Sequence, residues 1–567
     1  APHDSVGSNL YVHTRNGRVM RVVPRENEEI NEVWLSDRDR FSYEGLYADD
    51  RLASPMVKVD GSWRETDWDS ALQAAVEGLR GVVSQLGADQ LGVLASPNST
   101  LPEFYRLQAI ARGLGTANID HRLRRVDFSD QDSAPLGPSL GQSLEDLERV
   151  DAALVVGANP RKEQPIAGHR LRKAAMAGAS VMFVNPVDYE FHMPVHAKAI
   201  VMPSGMVHEL AAIAACFPDI SARLPQAARS LVSDASPDDN QRAMAKALKE
   251  AGNATVLLGN TAAAHPQASL LRALATAIAD AAGAVYGSLP AAANSVGGWL
   301  AGVLPHRGPA GQATSSAGLA AHSMCESPRR GYVLFGVEPE HDCWDSEAAI
   351  KAVDAADFVV SFGPWASETM MNSADVLLPV GPFTETSGTF VNLEGRWQGF
   401  AGVARPYGDS RPGWKVLRVL GNLLELDGFD YNSSEEVRDT LRREIDSASF
   451  APGSASVAAA PATGAGELER VGDVPIHASD ALARRAASLQ ATPDAVAGNV
   501  ARICTQQAET SGVLGAGSIR VSQDGTSITV SLEIDERVPA GCIWLPAGTP
   551  TAAGLGPCLG AIRIERA

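Results

Sequence analysis

The sequence has few cysteines and few aromatic residues, and each shortage excludes a class of site. Six cysteines are spread over 567 residues, and no two lie closer than sixteen positions apart. Iron–sulfur clusters need closely spaced thiolates, so the spacing predicts no cluster ligands in this chain. Scattered thiols in a long chain indicate a reduced, intracellular protein rather than a disulfide scaffold. Aromatics make up only 6% of the residues, which argues against a surface for stacking nucleic-acid bases.

Positive charge and long apolar runs are also scarce. The formal net charge is −19, and such an acidic surface repels phosphate backbones, so we expect no nucleic-acid partner. No uncharged apolar run reaches the roughly 18 residues of a membrane-spanning helix. The first residues lack the basic and apolar regions of a signal peptide. They also lack an initiator methionine, and we expect that a segment upstream is missing.

Histidine spacing offers no metal site. His192 and His196 lie four residues apart, which on a helix would place both on one face. Pro194 lies between them and disfavours a helix there. The pair is therefore interpreted as structural or surface.

The repeating pattern along most of the chain is a short apolar strand, a loop and an amphipathic helix. This alternation predicts α/β domains with doubly wound parallel sheets, whose ligands bind at the carboxyl ends of the strands. The predicted strands are Leu91–Leu94, Ala152–Val156, Val181–Val184, Thr255–Leu258, Tyr332–Phe335, Phe358–Ser361 and Val376–Leu378.

Local signals predict where several elements begin or turn. Asn16-Gly17 between apolar runs predicts a hairpin over residues 9–24. Thr66 is predicted to cap a helix, and Thr100 with Glu103 forms a capping box. Alternating residues near the C-terminus predict a small all-β module with strands Ser518–Gln523, Ser527–Ile534 and Cys542–Pro546.

Three polar segments are candidate binding sites, each with a structural alternative. Gly157–Pro160 could approach a phosphate through its backbone, or form only a tight strand-to-helix turn. Glu385–Arg396 could wrap a polar ligand, or satisfy its own backbone. The charged patch of Arg122, Arg124, Arg125 and 127–132 could line a buried cofactor site, although a solvated loop or a subunit interface is favoured. No Walker A, GxGxxG or GxSxG motif is present.

A series of short segments, each modest alone, is characteristic when taken in order. Together they resemble the large iron–sulfur subunit of respiratory complex I, which is NuoG in bacteria and the 75 kDa subunit in mitochondria. The resemblance runs from about residue 4 to the C-terminus. The segments are Val6–Asn9, Val19–Arg25, Ile30–Glu32, Ser36–Phe41, Tyr43–Leu46, Asn118–Arg122, Asn159–Lys162, Phe383–Thr389, Asn392–Trp397 and Arg411–Val416.

The resemblance implies a molybdopterin-oxidoreductase fold, shared with formate dehydrogenases and nitrate reductases, with a small N-terminal β-rich domain and a short C-terminal β-module. It implies a vestigial iron–sulfur domain at 1–55 and an α/β domain in two parts, 56–150 and 331–450. An inserted α/β domain would occupy 151–330. A linker at 451–466 and a C-terminal segment at 467–567 with the β-module would follow.

The resemblance also implies which ligands are lost. Molybdopterin enzymes hold a tetranuclear cluster on four cysteines, and the aligned residues here are Ala1, Asp4, Ser8 and Ser36, none of them a thiol. The metal-ligand position falls near Val126, and the nearest hydroxyl, Ser129, is out of register. The predicted catalytic, cofactor-binding and metal-ligating residues are therefore none. No cofactor is expected in this chain, and iron–sulfur clusters are expected in the missing N-terminal portion.

The leading hypothesis is a redox-silent structural portion of the complex I peripheral arm. The complex passes electrons from NADH to quinone and translocates protons. The expected partners are the other peripheral-arm subunits and the cluster-bearing portion of the same subunit, at the cytoplasmic face of the bacterial inner membrane, with no membrane span. One alternative is a molybdopterin-dependent oxidoreductase that retains a pterin cofactor near Gly157–Pro160 and Glu385–Arg396. Another is a free-standing α/β binding protein.

Overall fold

The N-terminal part of the chain is a β-hairpin followed by a short helix. The computed structural model describes residues 1–453, 456–457 and 468–567. Strands β1 (Leu10–Arg15) and β2 (Arg18–Pro24) pair antiparallel, and α1 spans Asp37–Phe41. The turn residues Asn16 and Gly17 both have positive φ, 54° and 81°, which the Asn-Gly pair tolerates at low cost. The predicted hairpin is confirmed.

A first α/β region follows the hairpin. Helix α3 begins at the predicted capping box, in which Thr100 accepts from the Glu103 N–H and Glu103 from the Thr100 N–H. Helix α2 is capped by Asp67, which accepts from the Ser70 N–H, so the prediction of Thr66 as cap is wrong by one residue. Either side chain suits an N-cap, but Thr66 still belongs to the preceding strand region, where its N–H bonds the Pro55 carbonyl. The elements are β3 (Met56–Val59), β4 (Ser62–Glu65), α2 (Trp68–Leu86), β5 (Leu91–Ala95), α3 (Leu101–Gly113) and β6 (Ile119–Asp120).

A second α/β region is inserted after β6. Its central strand, β7, is buried along its whole length, as expected for a parallel strand covered on both faces. Its strands are β7 (Ala152–Val156), β8 (Ser180–Asn185), β9 (Ala197–Ile200), β10 (Ala254–Leu258) and β11 (Val285–Ser288). Its helices are α4 (Pro160–Glu163), α5 (Pro165–Met176), α6 (Met206–Ala215), α7 (Gln226–Asp234), α8 (Asp239–Glu250), α9 (Asn260–Ala264) and α10 (Ala268–Ala282).

The chain then returns to the first region. The returning strands are β12 (Gly331–Phe335), β13 (Phe358–Gly363) and β14 (Val376–Pro379), and a separate hairpin is formed by β15 (Gly388–Val391) and β16 (Trp397–Phe400). The helices are α11 (Ser295–Leu300), α12 (Ala321–Glu326), α13 (Pro339–Asp342), α14 (Ser346–Asp354), α15 (Glu368–Ser373), α16 (Gly413–Leu423) and α17 (Ser434–Ser447).

These strands form two separate sheets. The order of the larger sheet is β4-β3-β14-β13-β12-β5-β6, with the last five strands parallel and β3 and β4 antiparallel at one edge. The order of the smaller sheet is β11-β10-β7-β8-β9, all parallel. The predicted fold class, doubly wound parallel sheets with small β units at both ends, is confirmed.

The C-terminal part is a closed barrel with strand order β17-β21-β18-β20-β19-β22. The prediction identified three of its strands and missed that the barrel closes. Most of the predicted linker, at 454–455 and 458–466, lies outside the described residues, and the predicted division into domains stays a prediction. The elements are β17 (Leu468–Val471), α18 (Ala481–Arg484), α19 (Ala487–Gln490), α20 (Pro493–Ala497), β18 (Ala501–Ile503), α21 (Thr505–Thr510), β19 (Ser518–Gln523), β20 (Thr526–Ile534), β21 (Cys542–Trp544) and β22 (Leu559–Arg566).

A buried ion network joins the segment after β17 to the larger sheet. Arg484 and Arg485 reach the Glu338 carboxylate at 2.7 and 2.6 Å, and Arg485 also pairs with Asp50 at 2.6 Å. Burial alone would raise the pKa of Glu338, but the two guanidinium groups outweigh it and lower the pKa from 4.5 to about 2.

We predict that this network makes the protein acid-labile. Because the folded pKa of Glu338 lies below the unfolded value, its stabilisation is complete above pH 4.5 and is lost as the pH falls towards 2. Glu338→Gln should lower the melting temperature at pH 7, removing up to about 3 kcal/mol, and should flatten its decline below pH 4.5. Calorimetry over this range measures both effects. The exposed Glu65→Gln is the control, and parallel curves for wild type and Glu338→Gln would contradict the prediction.

Candidate functional site

A cavity of about 700 Å³ lies where the carboxyl ends of the two parallel sheets face each other. This edge is where α/β sheets bind ligands, because the loops that follow the strands converge there. The loop segments in its wall are Ser96–Asn98 after β5, His121–Arg125 after β6, Lys162–Glu163 after β7, Asn260–Thr261 after β10 and Ser288–Pro290 after β11.

The N-terminal part and the barrel complete the cavity wall. His3 and Arg38 come from the first, and Gly472–Val474 and Cys558 from the second. His3 is itself buried and bonds Asp480 and Ser42 at 2.7 Å each. Four parts of the chain, far apart in sequence, therefore enclose one space.

The loop after β6 places a row of arginines on one wall. Arg122 is bound by both oxygens of Asp120, at 2.8 and 2.9 Å, and Arg124 lies 3.4 Å from Asp342. The adjacent Arg125 also lines the cavity. This charged patch was interpreted as a solvated loop or an interface. The structure corrects the solvated-loop interpretation for Arg122 and Asp127, which are buried and line the cavity, whereas Ser129 and Asp132 are exposed.

The wall near the barrel carries two acidic residues, Glu163 and Asp473, in contrast to the row of arginines. The Oε2 atom of Glu163 has no partner among the described residues. Burial, reinforced by the nearby Asp473, raises the pKa of Glu163 to about 8. Asp473 accepts from Trp544 Nε1 at 2.5 Å and from the Tyr189 hydroxyl at 3.0 Å, and burial raises its pKa too. This wall therefore holds a carboxyl group that is largely protonated at neutral pH.

Gly157–Pro160 forms a tight turn, and the cavity wall begins with the residues just after it. Gly157 has φ +59°, and a Cβ there would come within 2.5 Å of the Ala262 nitrogen. The Ala158 N–H and carbonyl are both bonded by the Asn185 side chain, at 2.8 and 3.0 Å. The glycine is thus required by close packing against α9, and the N–H groups of Gly157 and Ala158 are already bonded within the protein, to the Val184 carbonyl and to Asn185.

Glu385–Arg396 contributes nothing to the described cavity wall and instead ties distant segments together. Arg51 donates to both oxygens of Glu385, at 3.1 and 3.0 Å, in a buried pair. Asn392 Nδ2 donates to the Val6 carbonyl at 2.9 Å, and Glu394 accepts from the Leu144 N–H at 2.6 Å. Its polar side chains therefore bond backbone groups and a buried arginine. This is the structural alternative that the sequence allowed for the segment.

The four positions aligned with cluster cysteines lie in a network of polar contacts. The Ala1 nitrogen donates to the Ser8 carbonyl at 2.8 Å. Asp4 pairs with Arg38 at 2.6 Å, with both side chains 2% exposed. Ser36 Oγ donates to the Asp39 carboxylate at 2.9 Å and accepts from the Asp39 N–H. Hydrogen bonds and one ion pair hold this region together.

The metal-ligand position also has unsuitable chemistry. Val126 packs beside Trp344 and Cys558. Cys558 Sγ donates to the Trp344 carbonyl at 2.9 Å, and burial raises the pKa of this thiol, which disfavours the thiolate that a metal needs. Across residues 1–453, 456–457 and 468–567, no group of three His, Cys, Asp or Glu side chains could hold a metal ion. Val126 has no donor atom and Cys558 is held as a hydrogen-bonded thiol, so neither side chain fits as the protein ligand of a molybdenum or tungsten centre.

Two parallel sheets with a cavity at their carboxyl ends, together with a closed barrel, define an α/β protein with a cavity where such folds bind ligands. Residues 51–423 match the family model "Molybdopterin oxidoreductase". This match covers more than half of the chain, so the chain belongs to the molybdopterin oxidoreductase family.

Several relatives are similar over most of the chain. The G subunit of NADH-quinone oxidoreductase from Rickettsia bellii is 26% identical over 449 residues, 78% of this chain and 56% of the relative. The protein of the same name from Streptomyces coelicolor is 27% identical and aligns with 98% of this chain and 68% of its own. "F420-dependent formate dehydrogenase subunit alpha" of Methanocaldococcus jannaschii is 24% identical, over 78% of this chain and 72% of its own. The chain thus spans little more than half of the Rickettsia relative.

Solved structures show the same fold. Acetylene hydratase from Pelobacter acetylenicus superposes with a TM-score of 0.67 over 100% of this chain and 99% of its own, at 13% identity. Within the described part of the chain, no helix combines the length and apolar character needed to cross a membrane.

A second family match corrects the prediction that this chain has no cofactor. Residues 2–44 match "NADH-ubiquinone oxidoreductase NDSU1/NuoG-like, 4Fe-4S domain", which indicates an iron–sulfur cofactor in this chain and not only upstream of it. The prediction relied on the spacing of the cysteines and on the absence of a thiol at Ala1, Asp4, Ser8 and Ser36, and the family model matches this domain without those thiols. The residues present do not fit a thiolate-bound cluster, because 2–44 contains no cysteine and Asp4 is paired with Arg38. No electron-transfer step is assigned to this domain.

Sequence reasoning missed Glu163 and Asp473 as cavity residues. Glu163 follows β7 by seven positions, so the strand-end rule was available for it. Nothing local marks Asp473, since it approaches the cavity only because the barrel packs there.

We predict that Glu163 makes the protein less stable at high pH. Because its folded pKa of about 8 lies above the ordinary 4.5, its contribution is complete below pH 4.5 and is lost as the pH rises to 8. Glu163→Gln, which mimics the neutral form, should gain stability relative to wild type over this range, on the order of 2–4 kcal/mol. Melting temperatures from pH 5 to 9 test this, with the exposed Glu190→Gln as control. A constant difference between Glu163→Gln and wild type would refute the prediction.

Proposed function

We propose that this chain is the molybdopterin-oxidoreductase-like portion of the NuoG-type subunit of NADH-quinone oxidoreductase. The observation that carries the proposal is the match of residues 2–44 to a model made for that subunit. It supplements the broad family match at 51–423, which many oxidoreductases would share. The Streptomyces relative, which bears the name of that subunit and aligns with 98% of this chain, supports the same assignment.

Within that subunit, residues 51–423 act as a structural support and not as a catalytic centre. Two side chains support this role. The thiol of Cys558 is hydrogen-bonded to a backbone carbonyl and Val126 is apolar, so neither provides a metal ligand. The buried pairs Arg51–Glu385 and Arg38–Asp4 also support it, since they hold distant segments in fixed positions.

The partners and location follow from this proposal. The chain would pack against other peripheral-arm subunits and the cluster-bearing portion of its own subunit. The arm would lie at the cytoplasmic face of the bacterial inner membrane. The assembled complex would transfer electrons from NADH to quinone and translocate protons. The names of the relatives from Rickettsia and Streptomyces support this context.

A second candidate is a molybdopterin-dependent oxidoreductase. Two observations favour it: the cavity at the strand ends and the relative from Methanocaldococcus named as a formate dehydrogenase subunit. The missing metal ligands weigh against it. Metal analysis of the purified protein distinguishes the two, because about one molybdenum or tungsten per chain would favour the enzyme.

We predict that the native full-length protein, tagged in its own host, co-migrates on native gels with NADH dehydrogenase activity.

Cys558→Ala should leave NADH:quinone activity within about twofold of wild type, because this thiol donates one hydrogen bond and binds no metal. Arg51→Met should reduce the amount of assembled complex, because an unpaired buried Glu385 costs about 3–5 kcal/mol.

Two results would contradict the proposal. The tagged protein would migrate apart from all NADH dehydrogenase activity, or Cys558→Ala would abolish turnover while assembly stayed normal. The second result would return attention to a catalytic centre in the cavity.

A further inference from the structure

The guanidinium group of Arg125 has no direct partner in the described part of the cavity wall. The side chain of Arg125 lines the cavity, and no hydrogen bond or ion pair joins it to any described residue. The two arginines that influence it most, Arg272 and Arg122, are each held by an aspartate of their own. Asp130 binds Arg272 at 2.5 and 2.7 Å, and Asp120 binds Arg122 at 2.8 and 2.9 Å. Arg125 is therefore the one of these three arginines that no described carboxylate contacts directly, although Asp127 lies in the same wall.

The remaining carboxylate nearby is already engaged. Asp127 accepts from the Ser269 N–H at 2.7 Å and its hydroxyl at 2.5 Å, and from the Ser129 N–H at 3.0 Å. It forms no ion pair with Arg125 among the described residues. The carboxylate of Asp127 is thus used by hydrogen bonds within the protein, whereas the guanidinium group of Arg125 faces the cavity without a partner among the described residues.

Arg125 stays charged although its surroundings oppose the charge. Burial, together with the neighbouring Arg272 and Arg122, lowers its pKa to about 10. The group is still protonated at neutral pH. An enclosed cation without a partner is costly, and an anion from outside the chain would remove that cost.

The cavity around Arg125 has room and a suitable lining for a ligand. Its volume of about 700 Å³ lies within the usual range for small-molecule sites. Phe128 and Trp299 form part of the same wall, and Arg122 stacks over both rings, with its Cζ 4.4 and 5.3 Å from their centroids. These contacts hold the side chain of Arg122 in place beside Arg125.

We propose that the cavity binds an oxyanion of the phosphate type, paired with the guanidinium group of Arg125. Guanidinium groups bind such oxyanions through two parallel charge-assisted hydrogen bonds. Arg125 is adjacent to Val126, where the family resemblance places a metal ligand. A cation there repels a metal ion and attracts a free anion. The site is independent of the proposed role in a respiratory complex.

The test is thermal unfolding and calorimetric titration of the full chain in phosphate-free buffer. Inorganic phosphate at millimolar concentrations should raise the melting temperature of wild type in a saturable manner. Arg125→Gln should weaken phosphate binding by at least about tenfold, and Arg125→Lys should restore part of it. Without phosphate, Arg125→Gln should melt no lower than wild type, because it removes an unpaired charge. The exposed Arg520→Gln is the matched control.

A second probe separates two sources of the anion. Phenyl phosphate that binds at least about tenfold more tightly than inorganic phosphate would indicate a phosphate ester whose organic part uses the aromatic wall. Equal affinity would indicate free phosphate. In either case the loss in Arg125→Gln supports the proposal.

Three outcomes would overturn it. Wild type would show no saturable response to either probe, or Arg125→Gln would bind phosphate as tightly as wild type. The third is a lower melting temperature for Arg125→Gln in phosphate-free buffer, because it would show that the side chain has an internal structural role.

Discussion

The arrangement of the N-terminal part and the inserted sheet depends on the buried guanidinium group of Arg38. It pairs with Asp4 at 2.6 Å and donates to the carbonyl of Glu163 at 3.2 Å, so it connects the N-terminal part to the inserted sheet. The nearby His3–Asp480 contact extends the connection to the segment that follows β17. Each of these groups has left water, and only their mutual contacts compensate for that loss. The cavity therefore has walls of fixed position, although they come from four parts of the chain.

Much of the fold was predictable because it rests on local patterns. The bounds of Ala152–Val156 were predicted without error, since Asp151 and Gly157 flank an apolar run that must be buried on both faces. The capping box at Thr100 was equally clear, because both hydrogen bonds lie within four residues. Where two adjacent residues could both cap, as with Thr66 and Asp67, the pattern could not decide between them.

The candidate site was much less predictable, because its chemistry depends on distant partners. Asp130 finds Arg272 and Asp120 finds Arg122, so only a full inventory of ion pairs reveals that Arg125 is left over. The row of charges looked like a solvated loop because sequence gives composition and not burial. For the segments at Gly157 and Glu385 the sequence allowed both a ligand loop and a structural role, and the contacts of Ala158 with Asn185 and of Glu385 with Arg51 match the structural role.

The closure of the barrel gives one strand an importance that its sequence does not suggest. β22 pairs with both β17, the first strand of the barrel, and β19. Loss or mispairing of Leu559–Arg566 would therefore open the cylinder and expose the edges of two strands. Sequence changes that prevent this strand from pairing would act like lesions in a core.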